Sequence, residues 1–186
     1  MSESIYLKEI LRELEENAHR VSDEELNAAA DAILKAERVF VAGAGRSGFA
    51  ARAFSNRLMH LGLTVYFVSE PTTPSIRKGD LLVIGSGSGE TATLAVMAGK
   101  AKTEGAEIIA VTIHPESTSG QMADSVICLP GATPKSTLED TGSSVQVMGD
   151  AFEQLSWLVY DVLVRYLMER TGVTKEEMFE RHANLE

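Results

Sequence analysis

The stretch Gly85-Ser86-Gly87-Ser88-Gly89-Glu90-Thr91 sets three hydroxyl side chains among three glycines, directly ahead of a helix-forming segment. Glycines such as Gly87 and Gly89 let the backbone curl until successive N–H groups face one concavity. Ser86, Ser88 and Thr91 add hydroxyl donors, and the N-terminus of a following helix favours negative charge. A tight connection with an N-cap needs a single Ser or Thr, and this run exceeds that need. A phosphate monoester is the anion it suits. The lysine of a P-loop is missing, so a nucleoside triphosphate with magnesium is not indicated.

A second glycine turn lies upstream, Gly43-Ala44-Gly45-Arg46-Ser47-Gly48, between a strand-like and a helix-like stretch. The spacing G-x-G-x-x-G in that context also fits a dinucleotide site, and Glu70 stands where a ribose-binding carboxylate would follow. That reading leaves the Ser86–Thr91 turn unexplained, and no stretch remains for a separate substrate domain.

The elements that carry these turns read clearly. Apolar residues at helical spacing mark a first helix over about 4–20, and Ser22 with Glu25 reads as a capping box opening a second that runs to about Ala36. These two helices precede the first strand and are expected on the sheet edge or on another subunit. Short, β-branched apolar runs then give five strands, 38–42, 64–68, 81–85, 107–113 and 125–129. Helices are expected over 47–61 and 91–104. Such runs suit a parallel sheet covered on both faces, so the expected fold is α/β, a three-layer α-β-α sandwich around a five-stranded, doubly wound parallel sheet. Ligands of such sheets bind at the carboxyl ends of the strands, where both glycine turns fall. A polar loop over 130–144 leads to a long helix over 147–170, and Thr174 with Glu177 caps a short last helix ending near His182.

The bulk figures narrow the partners. The 186 residues suit one domain over 1–186, and a net charge of −10 without a Lys/Arg cluster excludes a nucleic-acid partner. The lone Cys128 lies in an apolar run and reads as a buried strand residue, which excludes a disulfide framework or a cysteine zinc site. No basic-then-apolar leader and no membrane-length run is seen, so the chain is expected to be soluble and cytoplasmic.

Together, the two glycine turns resemble the signature turns of the sugar isomerase (SIS) domain family. The ending Arg181-His182-Ala183-Asn184-Leu185-Glu186, with the two N-terminal helices, is similar to the 6-phospho-3-hexuloisomerases within that family. The resemblance implies interconversion of D-arabino-hex-3-ulose 6-phosphate and fructose 6-phosphate, the second step of the ribulose monophosphate route of formaldehyde metabolism. It implies no cofactor, no metal and a homotetramer, at least a dimer. It also implies that Ser47, Ser86, Ser88 and Thr91 hold the phosphosugar, with Gly45, Gly87 and Gly89 shaping the turns. A sugar-phosphate sensor without catalysis and an aldose–ketose isomerase are the alternatives.

Moving a ketone from C3 to C2 removes the C2 proton and returns one to C3 through a cis-enediol(ate), so a base and oxyanion donors are needed. Glu153, early on the long helix, is the candidate base. Phe152, Leu155 and Trp157 are expected to desolvate it and tune it for that work, and the alternative is a solvated helix-face carboxylate. The resemblance, which places a glutamate here, favours the base. Glu90, in the first turn of a helix, is assigned a supporting role bracing the phosphate loop. Arg46 either steadies phosphate or enediolate or forms a plain salt bridge. His182 is implied by the resemblance as the group that opens the fructose ring or shuttles protons. His19, His60 and His114 show no metal-ligand spacing and receive no role.

Overall fold

The computed structural model describes residues 4–133 and 144–185. Five parallel strands, β1 (Val39–Gly43), β2 (Val65–Phe67), β3 (Leu81–Gly85), β4 (Glu107–Thr112) and β5 (Ser125–Cys128), lie in the order β2-β1-β3-β4-β5. The chain runs outward from β1 to β2 and returns on the other side to β3, so the order reverses between β1 and β3. Parallel pairing sets Val39 beside Leu81 and carries that register up to Gly43 beside Gly85. Both glycine turns therefore leave the sheet at the same level, at the reversal point where such sheets open a crevice.

Strand side chains alternate between two covering layers. Val39, Val41, Leu81, Val83, Ile109 and Val111 pack under α2 (Asp23–Lys35), α3 (Gly45–His60) and α6 (Asp150–Thr171). Phe40, Ala42, Leu82, Ile84 and Ile108 face the other way, onto Leu94, Ala98 and Ala101 of α4 (Ala92–Thr103). This is the three-layer sandwich the strand pattern predicts. At the sheet's other end, Arg38 grips the buried Asp80 through two bonds of 2.8 and 2.6 Å, and the Arg77 N–H donates to the same carboxylate at 2.8 Å. That clamp ties the entry of β1 to the entry of β3.

The first turn works through close approach. A Cβ on Gly43 would sit 2.8 Å from the Gly48 Cα, so α3 can lie directly on the end of β1 only because both residues are glycine. Of the two leading helices α2 covers the edge, packing on β5 and α6, while α1 (Ile5–Ala18) rests on α6 and buries none of its own residues. Ser22 caps α2 by accepting from Glu25 N at 3.3 Å, but the box is only half formed. The Glu25 carboxylate instead accepts from Cys128 N, at 2.8 Å, on the edge strand. Cys128 is half-buried there rather than enclosed, and burial, followed by the nearby Glu25 and Glu116, pushes its thiol pKa up.

Two further departures from expectation bear on the site. A short helix, α5 (Thr118–Met122), stands where the sequence reads as a connection. The expected loop over 130–144 lies largely outside the described residues, and α6 begins at Asp150, three residues later than its pattern predicts. The last helix, α7 (Lys175–Glu180), carries the complete Thr174/Glu177 capping box. Among the described residues no helix is long and apolar enough to cross a membrane.

Candidate active site

At the β1/β3 reversal a cleft of about 170 Å³ opens between the two glycine turns and the first turn of α6. It is lined by Gly45, Arg46 and Ser47 from the first turn, by Ser86, Gly87, Ser88 and Thr91 from the second, and by Asp150 and Glu153. The geometry thus gathers all four hydroxyls and Glu153 into one space. They arrive from three elements: Ser47 from α3, Ser86, Ser88 and Thr91 from the loop after β3, and Glu153 from α6.

The Ser86–Thr91 loop is held from inside and below. The Ser86 hydroxyl accepts from Gly89 N at 3.1 Å and lies 3.4 Å from the Thr91 hydroxyl. Ser88 accepts from Glu90 N at 3.3 Å. Gly89 takes φ +64°, and a Cβ there would fall 1.8 Å from the Ser117 hydroxyl, so α5 is docked against this glycine. Glu90 completes the dock: its two oxygens accept from Thr118 N and the Thr118 hydroxyl, both at 2.7 Å. Those two bonds, the hydroxyl's first, hold the Glu90 carboxyl below its ordinary pKa. The α5 helix, which propensity does not reveal, is the piece that stiffens the loop.

Opposite, Phe152 packs beneath Gly87, where a Cβ would meet its ring at 3.1 Å. This contact seats the first turn of α6 on the loop and turns the next residue, Glu153, into the cleft. The surroundings of Glu153 differ from expectation. Phe152 and Leu155 point into the core, at 2 % exposure each, while Trp157 lines a groove beside Glu153, whose side chain is 18 % exposed. Glu153 accepts from Arg46 Nε instead, while Arg46 Nη2 reaches Asp150 Oδ1 at 3.4 Å. The bond to Glu153, then the charges of Glu153 and Asp150, raise the Arg46 pKa. Asp150 is a cleft carboxylate that sequence reasoning missed, although its spacing of three from Glu153 puts both on one helix face.

His182 is not in this cleft. It lines a separate cavity of about 260 Å³ between α3 and α6, with Arg57, His60, Trp157 and Asp161. Glu70, the dinucleotide-reading carboxylate, is occupied elsewhere: it accepts from Arg52, whose guanidinium lies 4.2 Å over the Phe67 ring. Among the described residues no cluster of three or more His, Cys, Asp or Glu is placed to hold a metal.

The family model for the SIS domain matches residues 32–150, from the end of α2 to the first residue of α6. The chain belongs to the SIS domain family. Along its full length it is 46 % identical to the 3-hexulose-6-phosphate isomerase of Bacillus subtilis (strain 168), covering all of both chains. A 3-hexulose-6-phosphate isomerase of Mycobacterium gastri is 42 % identical over 94 % of this chain and 86 % of that one. A solved SIS structure from Methanococcus jannaschii, whose molecular function was inferred as 3-hexulose-6-phosphate isomerase, superposes with a TM-score of 0.80 at 34 % identity, over 97 % of this chain and 99 % of that one.

Proposed function

We propose that this SIS domain interconverts D-arabino-hex-3-ulose 6-phosphate and fructose 6-phosphate. The observation that carries the proposal is the single cleft in which four hydroxyls and a carboxylate converge from separate elements. The chain-long similarity to 3-hexulose-6-phosphate isomerases supplies the sugar.

In this reading the phosphate lies on the Ser86–Thr91 loop, with Ser47 and the backbone N–H groups of both turns around it. The anchored phosphate fixes how far the sugar chain extends towards α6. Glu153 takes the proton from C2 of the 3-ketose, and charge develops on the C3 oxygen as the enediolate forms. The proton of the C2 hydroxyl passes to the C3 oxygen and the proton held by Glu153 returns to C3, leaving the ketone at C2. Glu153 and its conjugate acid serve both transfers, so the residue ends each turnover as it began. Arg46 orients the Glu153 carboxylate through its Nε bond and supplies positive charge at the cleft wall for the developing oxyanion. Glu90 acts only through the loop, by holding α5 against it.

The 3-ketose cannot close a five-membered ring, because its C6 oxygen carries the phosphate. Fructose 6-phosphate does cyclise, so ring opening burdens that direction alone, and His182 is assigned to it or to proton shuttling. Lying outside the cleft of its own chain, His182 has to reach the sugar in another copy or after movement of the chain end. The exposed apolar side chains Tyr6, Phe49 and Trp157 support an assembly of at least two copies, and the family resemblance supports a tetramer. One SIS domain over 1–186, acting in the cytoplasm on the ribulose monophosphate route without cofactor or metal, completes the proposal.

Deuterium wash-in tests it. Fructose 6-phosphate is incubated with the protein in D₂O, without added metal or nucleotide. Deuterium at C3 together with the 3-ketose is the expected result. Binding by calorimetry without exchange would replace catalysis with a sensing role, and no binding would overturn the phosphosugar assignment.

A further inference from the structure

His60 ends α3 in the cavity that holds His182, with its ring 2 % exposed. The His182 ring stacks on it at 5.3 Å between centroids and 20° between planes. The same residue also holds the chain end through its backbone, since Arg181 Nη1 donates to the His60 carbonyl at 3.1 Å. The Arg181 guanidinium lies across Gly62, 3.4 Å from the position of a Cβ. One short stretch of chain, 60–62, thus receives both residues 181 and 182.

We infer that His60 is a positioning residue for His182, a flat buried platform that fixes where and how the C-terminal imidazole is presented. The inference rests on the reading that His182 acts in turnover, and an imidazole fixed outside its own cleft serves the first of the two routes, presentation to another copy.

The charges around the ring explain how it serves as a platform. Arg57 comes from α3 itself, Arg181 and His182 from the chain end, and Asp161 from α6, beside the phenol of Tyr160. Arg57 Nη1 lies 3.4 Å from His60 Nδ1. A guanidinium carries no acceptor, so Nδ1 facing it presents a lone pair and the proton resides on Nε2. Burial first, then Arg57 and His182, push the His60 pKa down, in accord with a neutral ring. A neutral ring lets a second imidazole stack without repulsion, where an imidazolium would repel a charged partner. A catalytic group near a chain end otherwise carries a large ordering cost at each encounter with substrate. The platform meets that cost on folding.

The test uses the full chain in four forms: His60→Ala, His60→Phe, His182→Ala and the His60→Ala/His182→Ala double variant. Turnover from fructose 6-phosphate is measured beside phosphosugar affinity and beside the rate of tryptic cleavage after Arg181. His182→Ala is expected to lower kcat by about 10²-fold or more, the usual range for losing a proton-transfer group. His60→Ala is expected to lower kcat to a similar degree at unchanged affinity, and the double variant to be no slower than His182→Ala alone. His60→Phe, which keeps a flat ring, restores most of the rate. Cleavage after Arg181 quickens in His60→Ala and not in His60→Phe. If His182→Ala is impaired while His60→Ala turns over normally, or if the two losses multiply, the positioning role is refuted and the role of His182 stands. If His182→Ala turns over normally, the reading of His182 fails and the inference falls with it.

Discussion

Replacing Gly89 by alanine separates two reasons for a glycine in a phosphate loop. At φ +64° any L side chain is strained, and here a Cβ would also meet Ser117 Oγ at 1.8 Å and Ser117 Cβ at 2.5 Å. Gly45 is the control: its φ is +58°, yet a Cβ there meets nothing within 4 Å. The backbone cost is shared and amounts to roughly 1–2 kcal/mol per left-handed residue. Overpacking against a fixed neighbour adds roughly 1–3 kcal/mol. Gly45→Ala should therefore lower unfolding free energy by about 1–2 kcal/mol and Gly89→Ala by about 2–5 kcal/mol, read from urea midpoints at constant m. Gly89→Ala should also weaken fructose 6-phosphate binding by calorimetry, because Gly89 N is the donor that Ser86 Oγ holds at 3.1 Å. Removing the obstacle should reverse the steric part: Ser117→Gly in the Gly89→Ala background recovers stability, although alone it removes a cap that accepts from Gly120 N at 3.3 Å. A Gly89→Ala variant no less stable than Gly45→Ala would refute the claim that α5 is braced against the loop.

Glu153→Gln keeps the size and polarity of the proposed base and removes its proton affinity; kcat should fall by about 10²-fold or more with phosphosugar affinity little changed, and near-wild-type turnover would remove Glu153 from that role. Asp80, buried under its two-bond clamp from Arg38, should lose roughly 3–5 kcal/mol of stability on replacement by alanine, measured by urea unfolding, because Arg38 is left partly buried and unpaired. Burial alone would raise the Asp80 pKa, but Arg38 and the Arg77 N–H outweigh it and the net direction is down. Its stabilisation is therefore complete above the ordinary carboxyl value of about 4 and is lost as pH falls through the lower folded value, so wild type should shed more stability on acidification below about pH 4 than Asp80→Ala does.

The sheet was legible because its strands are short apolar runs with no competing helical period, and β3 begins and ends where the pattern predicts, at Leu81 and Gly85. The placing of Ser86, Ser88 and Thr91 together in a cleft was legible for a related reason: hydroxyls and glycines in alternation have little structural use beyond a single cap. The α5 helix escaped because Thr118-Ser119-Gly120-Gln121-Met122 contains no strong apolar period and a poor helix former at its centre. It forms through partners distant in sequence: Ser119 N donates to the Gly89 carbonyl at 3.0 Å, and Glu90 binds Thr118. The half-formed box at Ser22 misled in the same way, since a capping glutamate and a glutamate that reaches across to an edge strand look alike until the strand order is known.

The surroundings of Glu153 show where such reasoning stops. Helical spacing separates residues 152 and 155 from residue 153 by a large turn around the axis, so apolar neighbours in sequence are not neighbours of its carboxylate. The face it does share holds Asp150 and Trp157, at spacings of three and four. What the carboxylate meets is decided by α3, which Gly43 and Gly48 allow to lie directly on β1, and which thereby delivers Arg46 from 107 residues away. The first glycine turn thus sets the surroundings of the proposed base, because close helix–strand packing brings Arg46 to Glu153. A Cβ at Gly48 would meet the Gly43 carbonyl oxygen at 2.8 Å, so a side chain at that position displaces α3 and moves Arg46 with it, even though Gly48 itself lies outside the cleft.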